Sequence, residues 1–372
     1  MNAHLKFSLS FAVTALSVVL ATSCSLVSGP AEKPVEGHPS QESRMSDKPG
    51  PGYVATGVWR VKGHSGNVVY LAGTRHSVAV SEIPFPSTYY AAYQQSRDVF
   101  FEIDPESIAN KFMLLRGLVS AVGFILEHRS ELRSPKGHSL SDSLSPKTVK
   151  LLRAHYGSKY AKKEKLSALG LLMGHKLFGD EGSEETSGDD QKPHKANRAR
   201  GDKGPEVDGA DDHFRLLARR DGKKVVALDK QAVAQTIGPF LEFTLSQIRQ
   251  DIAKKGVDAA VRESILKKKE SVSEKDVPND PWRYGISDRE AEEEFTFLKQ
   301  DPAMYQMLNP QRNTEWMKSI TRAIEGKHTT TVFVGALHFP GKDGLLALLR
   351  KKGYRTEQMF GIDRPVIRSK NP

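Results

Sequence analysis

Two stretches far apart in the chain end in the same way. Val68–His76 and Thr331–His338 are apolar, β-branched or aromatic runs that close on a glycine, two further residues and a histidine. Such runs predict buried strands, and the glycines Gly73 and Gly335 permit a sharp turn where each strand stops. His76 and His338 would then be delivered to strand ends by the same device and could converge on one site at the edge of a sheet. Imidazoles so placed carry protons or bind metals. With 12 histidines and 30 glycines in 372 residues, about one Gly-x-x-His arises by frequency alone. The strand context, shared by both copies, is what lifts the pattern above that background. From spacing alone, a hydrogen-bonded histidine at the rim of a core is the competing reading.

Further polar residues stand at similar places. Val99–Asp104 predicts a strand in which Glu102 and Asp104 alternate to the same face, with Pro105 ending it. Asp104 reads either as a partner that orients a histidine or as a strand-end turn residue. Arg75 could bind a substrate carboxylate or an oxyanion, or be an exposed surface arginine. Arg312 and Asn313 lie at the start of a predicted helix, where asparagine can cap.

These residues need a sheet to hold them. Gly57–Lys62 and Val68–Gly73 predict a hairpin across Gly63–Asn67,. Helical patterns follow over Ile108–Glu127, Pro146–His155 and Lys162–Lys176. A helix ending near Arg220 leads to a strand over Lys224–Asp229. Helices then run from about Thr236 to Met317, broken near Pro278–Gly285,. Thr330–Gly335, a helix over Gly341–Lys352 and a strand near Tyr354–Met359 complete the pattern. Strands alternating with helices predict an α/β fold, a central mixed sheet with a large helical insertion. Residues 179–205 hold charged, low-complexity sequence with little to bury and predict a disordered insertion,.

At the N-terminus a lysine-bearing head and the apolar stretch Phe7–Leu20 precede Leu20-Ala21-Thr22-Ser23-Cys24. That arrangement predicts a secretory signal over residues 1–23. Its end resembles the bacterial lipoprotein lipobox, with Ala21 where leucine is commoner. The resemblance implies cleavage before Cys24 and acylation of that residue, which is the only cysteine. Several acyl chains would anchor the chain firmly to a lipid bilayer. Ser25 rather than aspartate after the cysteine implies the outer membrane of a Gram-negative bacterium. Residues 24–52, rich in proline and glycine, predict a flexible tether. Residues 53–362 form the expected domain, and 363–372 a tail. With Cys24 acylated, no disulfide is expected, and any metal must be held by His, Asp or Glu. The formal charge of +10 lacks the aromatic-interleaved pattern of nucleic-acid binders. It fits a solvated surface near anionic headgroups.

Several motifs together resemble the TraB/GumN family. They are Gly73-Thr74-Arg75-His76 after the hairpin; Phe100-Phe101-Glu102-Ile103-Asp104; Arg312-Asn313 with Trp316; and Val334-Gly335-Ala336-Leu337-His338 with Gly341, Gly344, Leu345 and Gly353-Tyr354. Asp212-His213-Phe214, Gly222-Lys223 and Val225–Asp229 are similar to that family's central segment, with Asp229 where glutamate is usual. The family includes the Tiki metalloproteases and is similar in fold to haem-binding ChaN-like lipoproteins and erythromycin esterases. The resemblance implies a divalent metal on His76, Glu102 and His338, two imidazoles and a carboxylate with positions left for water. Such mixed donors leave manganese, cobalt and zinc open. It also implies Arg312 and Asn313 as polar groups reaching into a catalytic site, for which Glu102 and Arg75 are the further candidates.

The chain is therefore expected to be a metal-dependent hydrolase acting on peptide or protein substrates in the envelope. No His-Glu-x-x-His helix and no Gly-x-Ser-x-Gly elbow is present, which removes the common zinc-protease and serine-hydrolase layouts. A haem- or iron-binding envelope lipoprotein and a non-catalytic envelope interaction protein are the alternatives.

Overall fold

The computed structural model describes residues 45–363 apart from 76, 80–81, 105–106, 179–205, 230–231, 267–280 and 297. The expected signal, Cys24, most of the tether, the 179–205 insertion, His76 and residues 364–372 lie outside the described residues.

The strands are β1 (Met45–Ser46), β2 (Val54–Lys62), β3 (Val68–Thr74), β4 (Ser77–Ala79), β5 (Asp98–Phe101), β6 (Glu206–Asp208), β7 (Lys224–Ala227), β8 (Thr330–Gly335) and β9 (Thr356–Gly361). The longer helices are α1 (Ser87–Gln95), α2 (Ile108–Glu127), α3 (Pro146–Tyr156), α4 (Ala168–Phe178) and α5 (Ala210–Arg220). They continue with α6 (Ala232–Lys255), α7 (Asp288–Phe295), α8 (Pro302–Leu308), α9 (Pro310–Ile324) and α10 (Leu345–Lys351).

The chain divides into two compact units. One comprises the described residues of Leu20–Lys111, Arg200–Ala232 and Val272–Pro372; the other, those of Phe112–Ala199 and Val233–Ser271. The first carries a seven-stranded sheet in the order β1-β9-β2-β3-β8-β5-β7. Pairing is antiparallel from β1 to β3 and parallel from β3 through β8 and β5 to β7. The fold is α/β with a mixed sheet, as the alternation of elements predicts.

The β2–β3 hairpin forms where expected. Gly63 N–H donates to Asn67 O at 2.9 Å, and Gly66 takes φ +85°, a value glycine adopts without cost,. The inner strands are apolar on both faces because both faces are covered. Tyr70 and Ala72 of β3, Phe101 of β5 and Phe333 of β8 face one core with Tyr89 and Tyr93 of α1 and Phe214 of α5. Val69, Leu71, Phe100, Val332 and Val334 face the other core. There they meet Trp316, Met317 and Ile320 of α9 and Leu345 and Leu349 of α10. Phe101 stacks on Phe333 at 5.4 Å and Phe333 on Phe214 at 4.6 Å, so one aromatic column ties strands to helix.

Several expected boundaries move, among them that of the Lys224–Asp229 strand, which ends at Ala227. The strand expected to reach Asp104 ends at Phe101, so Glu102 and Asp104 do not alternate on a ladder. The Glu102 carbonyl still accepts from Asp229 N–H at 2.8 Å beyond the last paired residues. The helix expected over Lys162–Lys176 breaks, because Leu166 bridges to Arg133 and Ser167 starts α4 by accepting from Gly170 N–H at 3.0 Å,. Helix α10 begins at Leu345 rather than Gly341, since Gly344 packs too close for a side chain against the Phe339 and Pro340 carbonyls.

The second unit is helical among its described residues, with α2, α3, α4 and α6 around buried Phe124, Leu132, Leu152, Leu171 and Leu245. Ser145 caps α3 by accepting from Thr148 N–H,. No helix among the described residues is long and apolar enough to cross a membrane.

Candidate functional site

Four parallel strands of the sheet unit end at one edge. Thr74 at the end of β3 pairs with Gly335 at the end of β8, and Phe333 pairs with Phe101, which in turn pairs with Ala227 of β7. In open α/β sheets ligands bind outside the carboxyl ends of such strands. Glu102, Asp229 and His338 all follow directly from them. In sequence His76 follows Thr74 by two residues; it lies outside the described residues.

Glu102 is 4 % exposed, and both carboxylate oxygens are occupied. Oε1 accepts from the Gly335 backbone N–H at 2.6 Å, and Oε2 accepts from Arg312 Nη2 at 2.5 Å. A Cβ on Gly335 would lie 3.1 Å from that same Oε1, so the glycine allows the carboxylate its close approach. The same Arg312 nitrogen donates to Asp229 Oδ2 at 2.7 Å, while Trp316 Nε1 donates to Asp229 Oδ1 at 2.6 Å. All four carboxylate oxygens thus accept from N–H donors, the pattern of two ionised carboxylates. One guanidinium serves both, which leaves a net negative charge on this buried trio.

The electrostatics follow from that crowding. Burial pushes the Asp229 carboxyl up from its usual range; Arg312 pulls it back, and Glu102 adds to the push. Burial also works against the Arg312 guanidinium, but Asp229 and Glu102 outweigh it and hold its pKa above the usual arginine range. The guanidinium lies 4.7 Å over the Trp316 ring.

His338, 6 % exposed, is oriented by a directional chain of amides. Asn309 Nδ2 donates to the Leu337 carbonyl at 3.0 Å, so its Oδ1 is the acceptor that faces Asn313 Nδ2 at 2.9 Å. Asn313 Nδ2 also donates to the Asp343 carbonyl at 2.9 Å. Asn313 Oδ1 therefore faces His338 Nδ1 at 2.8 Å and must accept from it. The imidazole consequently carries a proton on Nδ1, and its neutral form has the lone pair on Nε2. That Nε2 lies 3.8 Å from Glu102 Oε1 and 3.4 Å from Arg312 Nη1, with the Trp316 ring packed 4.5 Å away. Asn309, Arg312, Asn313 and Trp316 recur at helical spacing, so one face at the start of α9 supplies the side chains around His338,. Asn309-Pro310 begins that helix, with proline at its first position,.

A family model for the TraB/PrgY/gumN family matches residues 57–358. The chain belongs to the TraB/PrgY/gumN family. No curated protein and no solved structure matches it. The matched span of this family member includes Glu102, Asp229, Arg312 and His338.

The structure brings Glu102, Arg312, Asn313 and His338 of the expected set together. Arg75 lies just past β3 with an exposed side chain, and its carbonyl accepts from Ala210 N–H at 3.2 Å. Asp104 pairs with Arg219 of α5. Asp229, Trp316 and Asn309 belong to the cluster although the motifs alone assign them no role. The signal for Asp229 is its place just past an apolar strand, the same place that Glu102 holds.

A second group that could hold a metal lies in the helical unit. Glu127, His128 and Glu242 each offer a ligand atom within 4.8 Å of the others. His128 Nε2 lies 2.7 Å from Glu242 Oε1 and its Nδ1 3.2 Å from Glu131 Oε1. Burial draws the His128 pKa down, but Glu242 and Glu131 outweigh it and raise it. Both ring nitrogens of His128 thus face carboxylates, an arrangement that the ring in its protonated form satisfies without a metal ion.

Proposed function

We propose that this family member is a metal-dependent hydrolase of peptide bonds, with Glu102, His338 and His76 holding one divalent cation. The observation that carries the reading is the His338–Asn313 hydrogen bond. It fixes the tautomer that turns the Nε2 lone pair toward Glu102, the device by which outer residues orient a metal-binding histidine,. The residual negative charge of Glu102 and Asp229 over Arg312 suits a cation as well. A divalent ion there supplies a Lewis acid and lowers the pKa of its water.

The chain's own residues do the rest. Gly335 N–H and Arg312 hold Glu102 ionised and aimed. Asp229 and Trp316 hold Arg312, and the Trp316 ring shields one face of His338. We further propose that residues 1–23 direct export and that acylated Cys24 tethers the domain to the outer membrane.

The test is elemental analysis of the purified chain beside His76→Ala, His338→Ala and His128→Ala, followed by peptide-library cleavage. The reading expects about one divalent metal per chain, lost in the first two variants and kept in the third, with cleavage lost in parallel. Metal that disappears only with His128→Ala, or no uptake of manganese, cobalt or zinc, would overturn it.

A further inference from the structure

Helix α2 is apolar on two opposite faces. Met113, Gly117, Ala121 and Phe124 are buried on one. On the other, Phe112, Leu115, Val119 and Leu126 are exposed by 66 %, 55 %, 64 % and 55 %. At 100° per residue these four fall within a stripe about 60° wide and about 21 Å long. A contiguous apolar stripe left on the surface marks a face that meets a partner or a membrane.

The charges decide what covers it. Exposed Lys111 flanks the stripe on one side and exposed Arg116 on the other. Between Phe112 and Phe178 the only acidic residues are Glu127, Glu131, Asp142 and Glu164, set against a much longer series of lysines and arginines. A second copy would match the heptad-like spacing of the stripe, but helix pairs of that kind place opposite charges at the flanking positions. Here Lys111, Leu118, Ile125, Arg116 and Gly123 occupy them, and none is acidic. Two such helices would repel. An apolar stripe between basic flanks fits instead the boundary between acyl chains and anionic headgroups, where lysine and arginine reach back to the phosphates.

We propose that α2 lies flat in the surface of an anionic bilayer, with Phe112, Leu115, Val119 and Leu126 among the acyl chains and Lys111 and Arg116 on the headgroups. This contact is independent of acylation at Cys24 and of any metal.

The test uses the unacylated full chain carrying Leu115→Trp, with vesicles that contain brominated lipid. Expected is quenching and a blue shift of the introduced indole on vesicles of phosphatidylcholine mixed with phosphatidylglycerol. On phosphatidylcholine alone, or in high salt, the signal should fall by about tenfold. Adding Phe112→Ser and Val119→Ser should abolish it while the unfolding midpoint stays unchanged. An unquenched indole on a chain that floats with the vesicles would overturn the proposal, because the N-terminus alone would then be bound. Equal quenching on neutral vesicles, or a doubled mass with the indole buried in the absence of lipid, would overturn it too.

Discussion

Arg312 Nη2 lies 2.5 Å from Glu102 Oε2, an ion pair closed between residues 210 positions apart and almost wholly removed from water. The same nitrogen reaches Asp229, so the candidate site is organised around one buried cation held by two carboxylates. Taking one partner from such a group leaves a charge stranded in the interior, which costs far more than the intact pair contributes.

Arg312→Ala should therefore destabilise the sheet unit by about 3–5 kcal/mol. Coupling it with Asp229→Asn should recover part of that loss, because one of the two stranded charges goes with it. Denaturant unfolding of both variants checks this, and a double variant no more stable than Arg312→Ala would contradict it.

Trp316→Phe keeps an aromatic ring beside His338 but removes the donor to Asp229 Oδ1. The unpaired buried oxygen should cost about 1–3 kcal/mol. A loss in the unfolding midpoint with an unchanged denaturant slope is the expected readout.

Asn313→Ala frees His338 Nδ1 from its acceptor. On the proposed function, metal affinity should fall by about 10–100-fold, measured by chelator competition. Unchanged affinity in a folded variant would separate Asn313 from the metal reading.

His213 of α5 packs edge-on against Phe85, Tyr90 and Phe214, and its Nε2 has no hydrogen-bond partner among the described residues. Burial, with Arg220 adding to it, pushes its pKa down from 6.5 to about 4. The unfolded chain then binds more protons than the folded one between those values, so stability rises with pH across that window. Acidification from about pH 6.5 to about pH 4 should cost about 3 kcal/mol. His213→Phe should flatten that part of the profile; a profile equally steep in the variant would assign the acid sensitivity to other groups.

The strand ends were legible in the sequence because apolar runs closing on Gly73 and Gly335 carry a local signal. Glu102 was legible by its place after Phe100-Phe101. The pairing of Arg312 with Asp229 was not, since it joins a helix to a strand end 83 residues away. The amide chain from Leu337 O through Asn309 and Asn313 to His338 was equally hidden: its first and last links cross between the start of α9 and the segment after β8. Asn313 and His338 were legible as single residues at a helix start and a strand end, but the bonds that join them were not. The break before α4 was missed because apolar periodicity runs on through Leu166 while Ser167 and the bridge to Arg133 interrupt the backbone. Periodicity records which side chains want burial and says nothing of where the amides find partners.

Strand β8 sits between β3 and β5, yet its residues come near the end of the chain. During synthesis the first strands have no central partner, and their edges stay open until Thr330–Gly335 leaves the ribosome. Arg312 is made equally late, so Glu102 and Asp229 have no neutralising charge before then. Closure of the sheet must wait for almost the whole chain and depends on pairings between distant segments, which form slowly. With this strand order the β2–β3 hairpin and the β5–β7 pair can form early, but they remain two open half-sheets until one late strand joins them.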